Sequence, residues 1–310
     1  MHFTPGSEPD MNRQPLNFQD LRTLAGKPQH GMRLDQALAE LLQLSRRRSR
    51  RAIDEGGVYL NRKRCRTAGR TLKSGDTLRV ILLDGEQLVP FTADQLIWQQ
   101  PPLYLIHKRS GQYAQEALHR SRGTLPDELA RHLKLPPQQA SDLRPVHRLD
   151  RGTSGLMLFS GSPAQLQLLQ KNWYSCTSKQ YLAVVEPAPT WKFRHITLAI
   201  DKQRDQRGRF HVSEQGRACE TDAQVVERRN NRALISLIPH TGRTHQLRVH
   251  LAASGSPILG DIRYGGKEHR RLMLHAEKLT MNTPDQPTLD QPALPDTLTW
   301  NTQPEEDWQW

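Results

Sequence analysis

Hydrophobic residues near the N-terminus recur at helical spacing. In MRLDQALAELLQL (32–44), Leu34, Leu38, Leu41 and Leu42 fall at i, i+4, i+7 and i+8, the apolar stripe of an amphipathic helix. Ser45 is placed to cap a second helix through RRRSRRAIDE, and Gly56-Gly57 to stop it. The pattern then shortens. Val58–Leu60 and Thr77–Ile81 read as short strands, with Ser74-Gly75-Asp76 as the turn into the second. Further along, Leu103–Ile106, Lys179–Val185 and Ala233–Ile238 are strand-like. Ser162-Pro163 opens a helix with Leu166, Leu169 and Trp173 on its buried side. At 246–251 apolar and polar residues alternate, which predicts a strand with Gln246, Arg248 and His250 on its cleft-lining face. Strands and helices interleave without regular βαβ spacing, so the pattern favours an α+β fold.

Composition sharpens this picture. The chain has 310 residues, of which 35% are hydrophobic, and no apolar run approaches the ~20 residues of a spanning helix. The first thirty residues lack the apolar core of a secretory signal. Cys65, Cys176 and Cys219 lie far apart with no C-x-x-C, which fits a reducing, cytoplasmic location. The formal charge of +12 predicts an anionic partner, nucleic acid ahead of a membrane surface. That charge is uneven. Residues 30–80 hold thirteen Lys or Arg against five Asp or Glu, whereas residues 282–310 hold six acids, five prolines and no Lys or Arg. Arg46, Arg47, Arg48, Arg50 and Arg51 crowd one predicted helix, where they repel unless anions are near. A phosphate backbone supplies such anions; a solvated charged face is the plainer alternative.

The densest candidate for chemistry is RPVHRLDRGTSG (144–155), with Asp150 between Arg148 and Arg151. A carboxylate there can act as nucleophile, base or metal ligand, or simply hold an Asx-turn. Sharper motifs fail on spacing. HRLD has a leucine that the protein-kinase loop lacks, and no Gly-rich loop or Asp-Phe-Gly accompanies it. GDIRYGGK (260–267) misses the P-loop spacing, and HAE (275–277) has no Pro-Cys-x-x-Cys to complete a zinc-deaminase site. His240, His245 and His250 recur every five residues, a spacing that suits no shared metal, so no metal site is expected. In the second dense segment (240–266), Arg248 is well placed to pair with a carboxylate from elsewhere in the chain.

Four segments, in order, resemble the RluA family of RNA pseudouridine synthases: HRLDRGTSGL (147–156), SKQYLAVV (178–185), TGRTHQLRVHLAASGSPILGDIRYG (241–265) and LMLHA (272–276). Residues 30–82 resemble the small ribosomal-protein-type RNA-binding domain that many members carry. One departure stands out. The family usually has Lys-Pro, a small residue and Gly near its first motif, and this chain reads His107-Lys108-Arg109-Ser110-Gly111.

The resemblance implies that a uridine base is cut from C1′, turned and rejoined through C5, without a cofactor. Asp150 would be the essential carboxylate, either attacking C1′ or assisting loss of the base. Tyr181 would stack on the flipped uracil or act as general base, and Arg248 would pair with Asp150 and aim it. Arg148 would enter the stack vacated by the nucleotide, whose flipping costs a few kcal/mol. Arg151, Lys179 and Arg243 are further candidate RNA contacts, beside the five head arginines, and His147 is assigned a structural hydrogen bond. The domains expected are an extension (1–29), a small α/β RNA-binding domain (30–82), a linker (83–97), a catalytic domain on a mixed, largely antiparallel sheet (98–281) and an acidic tail (282–310) part of which packs through its tryptophans. The expected partner of this monomer is structured RNA, large-subunit ribosomal RNA ahead of transfer RNA, and no membrane. Rival readings are a non-catalytic ribosome-assembly factor and a carboxylate-dependent hydrolase, the latter lacking a second acid near Asp150 in the sequence.

Overall fold

The apolar stripe of the first helix is its buried face: Leu34, Ala37 and Leu38 of α1 (Leu34–Leu41) are sealed from solvent. In the computed structural model, which describes residues 17–202, 209–282, 295–305 and 307–310, Ser45 caps α2 (Arg46–Glu55) by accepting a hydrogen bond from the Arg48 amide at 3.2 Å. Gly56 ends it in the left-handed region. Strands β1 (Asn17–Leu24), β2 (Val58–Leu60), β3 (Lys63–Arg64) and β4 (Thr77–Asp84) form a sheet in the order β1–β4–β2–β3. Ala52, Ile53, Val58, Leu78 and Val80 share one core with the α1 leucines.

The chain divides into two compact units, Met1–Phe91 with Gln115–Leu135, and Thr92–Ala114 with Pro136–Trp310. Three assignments made from sequence differ from this partition. Residues 17–24, read as part of the extension, are strand β1, paired along its whole length with β4; the rest of that extension up to residue 16 lies outside the described residues. Residues 115–135, read as part of the 98–281 domain, belong to the first unit. Arg120 is buried there against Glu86 (3.0 Å) and Glu55 (3.3 Å), and the Ser121 amide donates to the Glu55 carbonyl. Helix α3 (Leu125–His132) buries Leu125 and Leu129. The expected linker, 83–97, begins inside β4 and ends inside the next strand.

In the second unit the strands are β5 (Leu96–Gln100), β6 (Leu103–Lys108), β7 (Arg144–Pro145), β8 (Ser154–Ser160), β9 (Thr177–Val185), β10 (Phe193–Ile196), a hairpin of β11 (Ile200–Lys202) and β12 (Phe210–Val212), β13 (Thr221–Arg229), β14 (Arg232–Pro239), β15 (Leu274–Asn282) and β16 (Thr297–Asn301). Among the described residues ten of them make one sheet, β10–β13–β14–β9–β15–β8–β6–β5, with β7 on β8 and β16 on β15. The fold is α+β with a mixed, largely antiparallel sheet; the parallel pairing joins β8 to β15 at Ser154–His275 and Gly155–Ala276. Helix α4 spans Pro137–Asp142. Helix α5 (Pro163–Cys176) starts as predicted, Ser162 accepting from the Gln165 amide at 3.3 Å. Its Leu169 and Trp173 join Leu105, Leu158, Leu279 and the tail's Trp300 in a single core.

One predicted strand is a helix. Residues 246–253 form α6 (Gln246–Ala253), entered through His245 at φ 58°. The alternation of Leu247, Val249 and Leu251 arose because the helix is buried on most sides, with Gln246 and His250 also inside. A helix without a wet face carries no 3.6-residue signature, and six residues cannot separate the two periods. The tail, expected to be extended with part packed on the body, adds β16 to the edge of β15; its residues 283–294 and 306 lie outside the described residues.

Candidate active site

The loop between β7 and β8 carries Asp150, and backbone acceptors fix it. Lys108, wholly buried, sends its three ammonium donors to the carbonyls of Arg109 (3.2 Å), Arg151 (2.9 Å) and Thr153 (2.6 Å). Burial pushes this lysine down to about 7, against the pull of the Asp150 charge. Ser110 Oγ donates to the Gly152 carbonyl, and the Gly111 amide to that of Arg151. Arg109, where the family carries proline, pairs outward with Asp94 at 2.8 Å and leaves this clamp intact. Gly155 follows at φ +113°, its α-carbon against the Ala276 backbone where a Cβ has no room.

Asp150 is partly exposed, its side chain at 27%. Arg248 of α6 donates from Nη1 to Asp150 Oδ2 at 3.0 Å, and from Nε and Nη2 to the two oxygens of Asp261 at 2.7 Å each. Such a fork fixes the guanidinium plane. Burial disfavours the charge of Arg248, but its bonds to Asp261 and the nearby carboxylates outweigh this and hold its pKa above the usual arginine range. Asp261 is itself sealed at 1% side-chain exposure, beside Gly260, whose positive φ and contact with the Arg271 carbonyl exclude a side chain. His245 lies 3.8 Å from Asp150 and hydrogen-bonds Tyr264 at 2.7 Å. Burial lowers it to about 4 although Asp150 pulls the other way, so its imidazole is neutral at pH 7.

These groups face a cavity of about 340 Å³ lined by Arg148, Asp150, Lys179, Tyr181, Arg243 and Arg248, among others. Tyr181 is 8% exposed; burial, then the charge of Asp150, then Tyr174, push its phenol above the ordinary tyrosine value. Lys179, buried beside the rings of Tyr174 (5.1 Å) and Trp173 (5.8 Å), is lowered by burial to about 8. Arg148 is exposed and touches Thr244 Oγ1 at 3.1 Å, and Arg243 is exposed at the same mouth. His147 does what was expected of it: Nε2 accepts from the Leu158 amide at 3.1 Å, and the ring stacks on Trp173.

Not every sequence candidate gathers here. Arg151 lies outside the lining, bonding the Gly111 carbonyl with its guanidinium 4.6 Å from the Tyr113 ring centre. The five head arginines are in the other unit, and three are occupied: Arg48 pairs with Asp84, Arg50 with Asp35 and Arg51 with Glu55, while Arg46 and Arg47 stay exposed. Histidines 240, 245 and 250 separate, to Asp222, Asp150 and Thr221. Sequence reasoning missed Asp261, His245 and Lys108. Asp261 follows Gly260 in GDIRYGGK, and only the helical path of α6 brings Arg248 between the two carboxylates.

Residues 102–253 match the family described as RNA pseudouridylate synthase, and residues 32–78 match the S4 domain. An uncharacterized RNA pseudouridine synthase of Chlorobaculum parvum is 32% identical over 79% of this chain and 79% of its own length. The ribosomal large subunit pseudouridine synthase C of Vibrio vulnificus is 31% identical over 82% of this chain and 86% of its own. In fold, human RNA pseudouridylate synthase domain containing 1 superposes with a TM-score of 0.55 at 24% identity, covering 70% of this chain and 86% of that one.

Proposed function

This chain belongs to the RNA pseudouridine synthase family, and on that premise we propose that it isomerises specific uridines of large-subunit ribosomal RNA with Asp150 as the essential carboxylate. The observation that carries the assignment is the Asp150–Arg248–Asp261 array at the cavity. A carboxylate held at one oxygen by a fixed guanidinium keeps its other oxygen for the sugar, and orientation of this kind is a large part of catalysis. The C1′–N1 bond breaks with Asp150 attacking C1′ or stabilising its developing positive charge. The freed uracil turns, C1′ bonds to C5, the C5 proton leaves and N1 is protonated.

The raised phenol of Tyr181 makes it a poor base at neutral pH, so in this reading it stacks on the uracil and positions it. Arg148 and Arg243 at the mouth suit phosphates, and Lys179 inside it suits the phosphate of the extruded nucleotide. Because Lys179 titrates near 8, its contact weakens as pH rises through that value. Ribosomal RNA is favoured over transfer RNA because relatives at about this identity carry large-subunit names and residues 32–78 match an RNA-binding module.

Mapping pseudouridines in total RNA from cells with and without the protein tests the target. Sites missing only from transfer RNA would replace the ribosomal assignment, and no difference would favour the assembly-factor reading. Asp150→Asn is expected to abolish product while RNA affinity stays within a few fold; retained turnover would remove Asp150 from the chemistry.

A further inference from the structure

The C-terminal residues return to the sheet at a particular place. Along its edge β15 pairs with β8 at His275 and Ala276, and from Lys278 onward β16 takes over that pairing. Trp300 anchors β16 against Trp98 with ring centres 5.2 Å apart. Beyond β16 the chain lays Trp308 near the Arg271 guanidinium (5.5 Å) and edge-on to His275 (5.8 Å). Glu305 and Asp307 both accept from Nη1 of Arg271, Asp307 at 2.9 Å. Arg271 is 8% exposed, so these carboxylates are the countercharge of a buried cation.

Arg271 is tied to the site at two points. Its Nη2 donates to Ser154 Oγ, four residues from Asp150. Its carbonyl packs on Gly260, next to Asp261. Ser154 Oγ also meets Nδ1 of His275 at 2.8 Å, and Nε2 of His275 meets the Thr302 carbonyl at 3.3 Å. With His275 neutral, the donors run in one direction: Arg271 to Ser154, Ser154 to His275, His275 to Thr302. The chain of bonds begins and ends on C-terminal residues.

We infer that Glu305 and Asp307 are positioning residues for the isomerisation, acting through Arg271 to hold the Ser154 end of the Asp150 loop and the backbone beside Asp261. The inference rests on the role of Asp150 proposed above. Without its carboxylates the buried guanidinium has no countercharge, and it must either leave Ser154 or turn toward another acid. Either movement shifts the loop that aims Asp150, while the cations that face phosphate stay where they are.

The test uses the full chain with transcribed large-subunit ribosomal RNA tritiated at uracil C5, from which the label leaves when C5 bonds to C1′. Under single turnover, E305Q/D307N is expected to release label at least tenfold more slowly, with RNA affinity within twofold of wild type. R271Q is expected to be similarly slow, and adding E305Q/D307N to it to change the rate less than twofold. Should the double variant fold poorly, D307N alone is expected to show a smaller loss of the same kind. An unchanged rate, a loss that persists in the R271Q background, or tighter RNA binding with an unchanged rate would overturn the inference. Absence of release by wild type would overturn the underlying reading together with it.

Discussion

Two sets of arginines in this molecule do different physical work. On α2 five of them lie along one short helix, partly or wholly in water; Arg48 and Arg51 pair with partly exposed carboxylates, Arg50 with the buried Asp35. In the larger unit Arg271 is buried and Arg248 mostly so, its side chain 12% exposed, and each is held by two carboxylates. Exposed cations are screened and interchangeable, and they attract a polyanion from a distance. Buried cations act at contact range and fix geometry, because losing one partner strands a charge in a low dielectric. In the function proposed above, the same residue type serves affinity in one unit and alignment in the other.

The largest expected effect is at the centre of the buried set. Arg248→Leu removes the guanidinium that joins Asp150 to Asp261 and is expected to lower single-turnover rate by on the order of 10³. RNA affinity should hold within a few fold, and a comparable loss of affinity would place Arg248 with the exposed set. Asp261→Asn keeps the shape but weakens the fork, so a rate loss of roughly 10- to 100-fold is expected; wild-type rates would show that the fork is dispensable.

The network beside Arg271 gives a pH effect of intermediate size. Burial lowers His275 to about 3 from an ordinary 6.5, so between those values the unfolded chain binds a proton that the native chain does not. Its contribution is fully present above pH 6.5 and is lost as pH falls, by about 2 kcal/mol at pH 5. Urea unfolding at pH 7.5 and 5.0 should show a smaller pH difference in His275→Gln than in wild type; equal differences would mean the native histidine is protonated. The smallest effect belongs to α2. Arg46→Gln with Arg47→Gln should leave catalysis and stability within about 0.5 kcal/mol and reduce the log–log salt slope of RNA binding by roughly 1 to 2. A slope that does not move would take these arginines out of the electrostatic footprint.

How much of this was legible depends on how local the signal was. Ser45, Gly56 and Ser162 mark helix ends through bonds within four residues, and each sits where the pattern placed it. Strand β1 escaped notice because its residues all stay at least partly exposed and its half-buried positions are Gln19, Leu21 and Thr23 while Phe18 and Leu24 face out, so its alternating burial is not written in apolar residues. Helix α6 was misread because burial on most sides erased its period. Asp150 and Arg248 stood out through their dense motifs, whereas Asp261 acquires meaning only from a bond to Arg248 thirteen residues away across a turn. The acid pair of the tail looked like surface charge, and its partner Arg271 looked like any arginine, since nothing in sequence reports that a cation is buried.

The parallel pairing of β8 with β15 brings together Ser154 and His275, separated by 121 residues, just as Asp150 and Arg248 are separated by 98. Loop-closure entropy grows only logarithmically, so doubling such a span costs about 0.6 kcal/mol, and the distance is cheap at equilibrium. Kinetically it is not, because closure entropy must be paid before contacts of high sequence separation repay it, and folding slows accordingly. No N-terminal fragment that stops short of β15 can hold the finished frame. The α2 arginines, complete within a local module, can in principle meet RNA earlier in folding than the site that modifies it exists.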